Sequence, residues 1–322
     1  ALVLPKAIGR PDIPEEEIVR RALARPLGTP RLGEIVRPGE RVAIVTSDVT
    51  RPLPTHRVLP PLLDELYAAG ARPEDLTLVF ALGSHRRHTP EEMRRLAGER
   101  AWSEIRTMDA DAGDCLRLGW TGRGTPVDIC RMVAQAERRI CLGNIEYHYF
   151  AGYSGGAKAL VPGVASRETI RQNHRLMAEA GAAAGVLEGN PVREDLEEAA
   201  ALCPIDFIVN AVLDERKRIL HAVAGHSIEA HRAGCRKLDE LYRVAIPERA
   251  EIVVVSQGGA PKDLNLYQTQ KALDNAKHAV REGGTIILVG SCREGFGEPV
   301  FEQWLTQAES PEALIRRIRA DF

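Results

Sequence analysis

RVAIVT at positions 41–46 and DLTLVFALG at positions 75–83 are the two runs that decide the fold. Both are rich in apolar residues, and a continuous apolar run of this length is typical of a strand that is buried on both faces. The residues between them, 55–69, have the apolar spacing of a helix. A strand, a helix and another strand in this order predict a parallel sheet with crossover helices on its faces.

The alternation of helices and strands continues from this unit toward the C-terminus. It predicts a helix opening at TPEEM, a strand, two helices, a hairpin with its turn at 214–218, and another helix. Pro247 then interrupts the pattern, and a second unit of two strands with a helix between them follows. In order, the ranges are 89–93, 138–144, 166–178, 191–202, 205–225 and 226–242, and then 251–257, 265–281 and 284–290.

This order of elements predicts an α/β fold with two domains, each built on a mainly parallel sheet flanked by helices. A length of 322 residues agrees with two domains of roughly 150 residues each. We place an N-terminal α/β domain at 1–246 and a C-terminal α/β domain at 247–322, with the active site in the interdomain cleft. We expect the C-terminal domain to be incomplete, and Ala1 suggests a trimmed chain.

Composition excludes several classes of protein. Hydrophobic residues make up 44% of the chain, and 43 Lys and Arg nearly balance 45 Asp and Glu, so no basic surface for nucleic acid is expected. No window approaches the ~20 apolar residues of a membrane span, and no signal peptide is recognisable, so we expect a cytoplasmic protein. The six cysteines are widely spaced, which predicts reduced thiols and no structural zinc site.

Polar side chains follow the predicted strands. Asp48 and Arg51 follow the first strand, His85 follows the second, and His148 lies shortly after RRICLGN. The carboxyl ends of parallel strands form the edge of a sheet where ligands bind, so these loops are expected to converge with the loop after EIVVVSQ. Taken singly, Asp48 and Arg51 fit a local ion pair equally well, and His148 fits a core histidine better.

Lys158 lies in an apolar, glycine-rich stretch, GGAKAL, where an exposed lysine is not expected. Desolvation lowers the pKa of a lysine and makes its amine a usable nucleophile or point of attachment. Gly155 and Gly156 allow the backbone to approach a large ligand closely. His174 follows on a predicted helix beside Ile170, where a buried structural histidine is the simpler interpretation.

Gly152-Tyr153-Ser154-Gly155-Gly156 also matches the G-x-S-x-G elbow of serine hydrolases, with His221 or His226 as the downstream histidine. The elbow needs a strand directly before the serine and a helix directly after it. Here the strand end is poor, and the Pro-Gly pair at 162–163 prevents a long helix. A serine hydrolase is therefore our second hypothesis.

Gln268 and Lys271 in the second domain are three residues apart, beside Tyr267, and share one face of the predicted helix. Such a pair most often belongs to a solvated face. This pair, however, lies in the first turns after a strand, where free amides and the helix dipole attract a carboxylate.

Five motifs together carry a family resemblance. They are SDVTRP at 47–52, GSHR at 83–86, His148 followed by AGYSGGAKALVPGVAS at 151–166, NH at 173–174, and NLYQTQK at 265–271. Their order and spacing resemble the nickel-pincer lactate racemase family of 2-hydroxyacid racemases, over about 41–290. The resemblance implies an enzyme that interconverts the enantiomers of a 2-hydroxyacid by hydride transfer to and from its cofactor.

The implied cofactor is a nickel-pincer nucleotide, a pyridinium-3,5-bisthiocarboxylic acid mononucleotide carrying nickel. The resemblance attaches it covalently at Lys158 and makes His174 the protein's metal ligand, and a soft-donor site with one imidazole suits nickel. Asp48, Gly155 and Gly156 fall in the cofactor-binding set, with Asp48 expected to orient Arg51 or a histidine.

The resemblance also assigns the remaining roles. His85 and His148 match the two acid/base histidines, and imidazole suits both because its pKa lies near neutral pH. The residues matching those that hold the substrate carboxylate and the keto oxygen are Arg51, Tyr267, Gln268 and Lys271.

The expected partners are a small 2-hydroxyacid substrate and cofactor-biosynthesis proteins. A homo-oligomer remains open, and neither nucleic acid nor a membrane is expected. A binder of the same cofactor without catalysis is a third hypothesis.

Overall fold

The computed structural model describes residue 6, residues 8–260 and residues 262–320. The strands are β1 (Val42–Ser47), β2 (Leu76–Ala81), β3 (Arg106–Asp109), β4 (Cys115–Trp120), β5 (Pro126–Cys130), β6 (Arg138–Asn144), β7 (Tyr147–His148), β8 (Gly152–Tyr153), β9 (Phe207–Leu213), β10 (Ile219–Gly225), β11 (Ala250–Ser256) and β12 (Val280–Val289). The α-helices are α1 (Glu15–Ala24), α2 (Leu32–Ile35), α3 (Thr55–Ala68), α4 (Pro90–Glu104), α5 (Arg131–Ala134), α6 (Arg167–Arg175), α7 (Pro191–Leu202), α8 (Glu229–Tyr242), α9 (Leu266–Thr269), α10 (Lys271–Ala276), α11 (Pro299–Gln307) and α12 (Pro311–Ala320).

The chain divides into two compact units, Ala7–Tyr242 and a second one that includes Arg243–Phe322. A six-stranded sheet with the order β10-β9-β6-β1-β2-β3 organises the first. Its neighbours are parallel except for β9 and β10, which form the predicted antiparallel hairpin. The carboxyl ends of β6, β1 and β2 therefore lie side by side, and the predicted mainly parallel α/β fold is confirmed.

Both faces of this sheet are buried because its central strands are apolar at almost every position. In β1, Ala43 and Val45 belong to one hydrophobic core, whereas Val42 and Ile44 belong to a second core on the other side. Successive residues of a strand point to opposite faces, so a continuous apolar run supplies both cores at once. Helices α1 and α3 pack into the second core.

The glycine-rich stretch after β6 folds into a compact loop. His148 of β7 pairs with Gly152 of β8, and a short 3₁₀ turn, Gly156–Ala159, follows. Gly152 has a φ of 76°, and a Cβ there would lie 2.0 Å from the Val186 carbonyl oxygen, so only glycine fits. This close approach fixes the path of the chain between His148 and Lys158.

The second unit contains a two-stranded parallel sheet of β11 and β12. The single helix predicted at 265–281 is wrong, because α9 and α10 are separate short helices and α10 ends at Ala276. The Ala250 amide donates to the Ala279 carbonyl over 2.8 Å, and Ala250 pairs with Val280. Strand pairing therefore takes the last predicted helical residues into β12.

No helix in the described ranges is long and apolar enough to cross a membrane. All six cysteines lie in these ranges and are free, as predicted.

Candidate active site

The ends of β1, β2 and β6 open onto one cavity of about 130 Å³ in the N-terminal unit. The predicted convergence of these three loops is confirmed, and the loop after β11 belongs to the other unit. Of the two glycines predicted to bind the cofactor, Gly155 lines the cavity. Gly156 lies behind it and packs against the His231 ring. The predicted charged or titratable site residues that line the cavity are Asp48, Arg51, His85, His148, Lys158 and His174.

Asp48 orients His85 across two neighbouring loops. Its buried carboxylate accepts a hydrogen bond from His85 Nδ1 over 2.8 Å and hydrogen bonds from the Thr50 hydroxyl over 2.9 and 3.0 Å. Burial opposes ionisation, but the hydrogen bond and charge of His85, with Thr50 and Arg51, hold the pKa of Asp48 below its usual value. The carboxylate therefore fixes a proton on Nδ1 of His85 and leaves Nε2 to act on a ligand.

His148 is half-buried and takes the opposite tautomer. Its Nδ1 accepts a hydrogen bond from the Ala151 amide over 3.3 Å, so in the neutral ring Nε2 carries the proton. Burial, followed by the positive charges of Lys158 and Arg51, strongly lowers the pKa of His148. The surroundings of His148 therefore hold its ring neutral.

Lys158 is half-buried, and few interactions stabilise a positive charge on its amine. Within the described part of the chain, Nζ has no hydrogen bond or ion pair, and it lies over the Phe150 ring, 5.9 Å from the ring centre. Burial, followed by the charges of Arg193 and Arg51, lowers the pKa of Lys158 well below its usual value. Burial therefore shifts the amine toward its uncharged form, which is the form that attacks an acyl group.

His174 lies on α6 and faces the cavity rather than the core. Burial, followed by the charge of Lys158, lowers the pKa of His174 to about 3, so the ring is neutral over the physiological range. Neither of its ring nitrogens has a hydrogen-bond partner among the described residues. A neutral imidazole with an unused nitrogen is available as a metal ligand.

Phe150 and Arg193 contribute to the site, and both were missed from the sequence. The Phe150 ring contacts the rings of His148 and His174 at centroid distances of 4.5 and 5.1 Å. Arg193 of α7 is fully buried, and its guanidinium donates to the carbonyl oxygens of Ala151 and Tyr153. Phe150 lies two residues from His148, and this proximity could have indicated its place in the site. In the sequence, Arg193 looks like part of a solvated helix face.

The buried position of Lys158 makes a prediction about stability. Because the folded pKa of Lys158 is lowered, the unfolded chain binds more protons between the two pKa values, and the free energy of unfolding rises with pH there. Lys158→Met removes the free-energy cost of burying the lysine amine. It should raise the Tm of the cofactor-free protein near pH 7, by roughly 2–4 °C for each kcal/mol relieved. The gain should shrink as the pH approaches about 10.4, the usual lysine pKa.

Thermal melts between pH 6 and about pH 10 measure this effect, the upper limit being close to the usual pKa of lysine. Lys217→Met is the matched control, because Lys217 is exposed in the β9–β10 turn and its replacement should leave the pH dependence unchanged. An equal change in Tm for both variants at every pH would show that the Lys158 amine is not desolvated.

Ser154 does not have the surroundings of a hydrolase nucleophile. Its hydroxyl donates to the Asn144 carbonyl over 2.8 Å and accepts from the Glu146 amide over 2.9 Å. No hydrogen bond joins Ser154 Oγ to His221 or His226 within the described residues. The hydroxyl holds the loop together, and the elbow hypothesis gains no support.

Tyr267, Gln268 and Lys271 form a local cluster in the C-terminal unit. Lys271 Nζ donates to Gln268 Oε1 over 2.8 Å and lies 5.8 Å from the centre of the Tyr267 ring. Asn265 caps α9 by accepting a hydrogen bond from the Gln268 amide over 3.0 Å. Gln268 and Lys271 therefore lie close together, as predicted.

Comparison with known proteins gives consistent matches along the chain. Residues 1–185 match the lactate racemase N-terminal domain family, and residues 246–321 match the lactate racemase C-terminal domain family. The lactate racemase of Thermoanaerobacterium thermosaccharolyticum is 35% identical over 95% of this chain and 73% of its own length. The lactate racemase of Lactiplantibacillus plantarum is 34% identical over 98% of this chain and 75% of its own length.

Solved structures agree with these matches. The lactate racemase apoprotein from Thermoanaerobacterium thermosaccharolyticum has a TM-score of 0.89 at 35% identity, covering 96% of this chain and 75% of that one. A protein from Thermotoga maritima shares the fold, with a TM-score of 0.66 at 20% identity, covering 84% of this chain and 70% of that one.

The fold, the cavity and these matches define an α/β enzyme of the racemase class, a lactate racemase-like isomerase. The chain belongs to the lactate racemase family. It spans about three quarters of the length of the curated relatives that it matches.

Proposed function

We propose that this racemase interconverts the enantiomers of a 2-hydroxyacid at the N-terminal cavity, with a nickel-pincer nucleotide attached at Lys158. The observation that carries the proposal is the arrangement of that cavity. Two histidines with opposite tautomers, His85 and His148, share it with a desolvated lysine and with His174. Lactate is the first substrate to test, because both curated relatives are named as lactate racemases.

The residues around the cavity fit this cofactor. A nickel cofactor is characteristic of the lactate racemase family. Among the described residues, no group of three or more His, Cys, Asp or Glu side chains could hold a metal ion. Nickel held here would therefore take most of its donors from a bound organic ligand. His174 supplies one neutral imidazole, which suits nickel, and Lys158 supplies a desolvated amine that can form an amide-type bond.

When bound, the cofactor supplies an acceptor and donor of hydride at C2 of the substrate. The protein's own residues move the proton of the substrate hydroxyl. His85, held by Asp48, has Nε2 available to take this proton, and His148 lies elsewhere on the same cavity to return one. For the protons to balance, one ring must be neutral and the other protonated when substrate is bound. One turnover exchanges these two states, so the same pair serves both directions.

Charge in the site supports these roles. Arg51 lines the cavity as an exposed guanidinium, a group that binds a carboxylate through paired hydrogen bonds. A bound anion favours the protonated form of a nearby histidine, so substrate binding should raise the pKa of His148 from its low value. Tyr267, Gln268 and Lys271 are proposed as further carboxylate ligands, and an active site in the interdomain cleft stays a prediction.

Supply of the cofactor requires partners. An enzyme that uses a covalently attached nucleotide of this kind needs cofactor-biosynthesis proteins in the same cell. Co-expression with such proteins is therefore the preparation in which activity should be tested.

Isotope retention tests the proposal. The loaded protein is given one enantiomer of lactate with deuterium at C2 in ordinary water, and chiral chromatography with mass spectrometry follows both products. Hydride transfer predicts racemisation with deuterium retained in the opposite enantiomer. Loss of deuterium to solvent would instead indicate removal of C2 hydrogen as a proton, and absence of racemisation for lactate and other 2-hydroxyacids would overturn the proposal.

A further inference from the structure

His88 is a buried histidine with both ring nitrogens in use. Its side chain is 0% exposed, and Nδ1 lies 2.6 Å from Oδ1 of Asp109, the last residue of β3. The backbone amide of His88 donates to the other carboxylate oxygen of Asp109 over 2.9 Å. On the far side of the ring, Nε2 accepts a hydrogen bond from the Val49 amide over 3.0 Å.

These partners determine the tautomer of His88. The Val49 amide is a donor only, so Nε2 must present a lone pair. The proton of the neutral ring therefore lies on Nδ1, where the Asp109 carboxylate accepts it. A proton on Nε2 would place two donors against each other, so the ring connects a carboxylate on β3 to a backbone amide in the loop after β1.

The Val49 amide lies in the loop that carries two residues of the site. Val49 is between Asp48, which orients His85, and Arg51, which lines the cavity. The loops after β1 and β2 are thus joined twice, by His85 to the Asp48 carboxylate and by His88 to the Val49 backbone. The second connection is anchored by Asp109 on the neighbouring strand, so three adjacent strand ends are linked.

We propose that His88, which lies against Asp109, is a positioning residue whose hydrogen bond to the Val49 amide holds the loop after β1, so that Asp48 keeps a proton on Nδ1 of His85. It touches no reacting atom and acts through Val49 and Asp48. The effect on turnover rests on the acid/base role proposed for His85, whereas the effect on the tautomer of His85 does not.

Two substitutions separate positioning from simple structural support. His88→Gln places an amide oxygen near the former Nε2 and can still accept from Val49, whereas His88→Asn keeps only the bond to Asp109. Each variant removes one of the two side-chain hydrogen bonds, so a purely structural role predicts similar losses of Tm and of activity. Positioning predicts that kcat falls about 10-fold or more in His88→Asn and stays within about threefold in His88→Gln, since small misplacements near the reacting atoms cost up to ~10².

The second readout is the tautomer of His85 in the cofactor-free protein, measured by ¹⁵N NMR of labelled histidine side chains. We expect the Nδ1–H form in the wild type and His88→Gln, and a mixture of tautomers in His88→Asn. His56→Asn is the control, because His56 is exposed on α3 and should change neither readout.

Unchanged His85 signals in His88→Asn, or equal kcat values for the two His88 variants, would overturn the proposal. Failure of the acid/base hypothesis gives a different result. In that case His85→Gln would keep full racemase activity, while the tautomer of His85 would still respond to His88→Asn.

Discussion

Lys158→Ala should abolish racemisation and leave a folded protein. The amine is the proposed attachment point of the cofactor, and its partly buried ammonium makes no hydrogen bond or ion pair among the described residues, so the fold does not depend on it. Removal of the amine removes the covalent bond and hence the retained cofactor. Chiral chromatography of lactate incubated with protein from the co-expressing strain measures the loss, and circular dichroism checks the fold.

Lys217→Ala is the control for this variant. Lys217 is exposed in the turn between β9 and β10, and its loss should leave racemisation at the wild-type rate. Racemase activity in Lys158→Ala close to that of the control would contradict the tethering hypothesis. Ester hydrolysis that disappears in Ser154→Ala would instead support the serine hydrolase.

His148→Gln and His85→Gln should each lower kcat by about 10²–10⁴-fold, the usual contribution of a positioned acid or base. Each ring supplies a different proton transfer, so neither can replace the other in a full turnover. Both variants should still carry the cofactor, because neither residue is the proposed tether or the metal ligand. Steady-state kinetics in both directions and intact-mass measurement of the same samples separate these effects.

The pattern of losses distinguishes the three hypotheses. His56→Gln serves as the control, because its ring is exposed on α3. A non-catalytic binder would keep its cofactor in all variants and show no racemisation even in the wild type. Retention of wild-type kcat by either His85→Gln or His148→Gln would remove that histidine from the proposed mechanism.

The sequence-based predictions succeeded where one physical signal was dominant. β6 was predicted with the limits Arg138–Asn144, because a buried parallel strand has apolar residues on both faces. The convergence of three loops followed from the rule that the carboxyl ends of parallel strands form one edge. The capping box at Thr89, whose hydroxyl accepts from the Glu92 amide, correctly set the start of α4 and left His85 in the loop.

The predictions failed where partners are distant in sequence. The short strand β3 has partly exposed residues and no apolar run, so its end at Asp109 and the bond to His88 were not visible. The spacing of α6 alone favoured a core position for His174, because spacing gives the side of the helix but not what that side contacts; only the family resemblance assigned His174 to the site. Arg193 has a local partner in Glu197, but its guanidinium also donates to two carbonyl groups about 40 residues away, and no local pattern encodes those contacts.

The central claim is that Lys158 carries the cofactor, and intact-mass spectrometry with peptide mapping tests it most directly. Wild-type protein co-expressed with the cofactor-biosynthesis proteins should gain the mass of one nickel-pincer nucleotide, located on the peptide that contains Lys158. Lys158→Ala prepared in the same way should gain nothing. An unmodified wild-type mass in a preparation that racemises lactate, or the same added mass in Lys158→Ala, would contradict the claim.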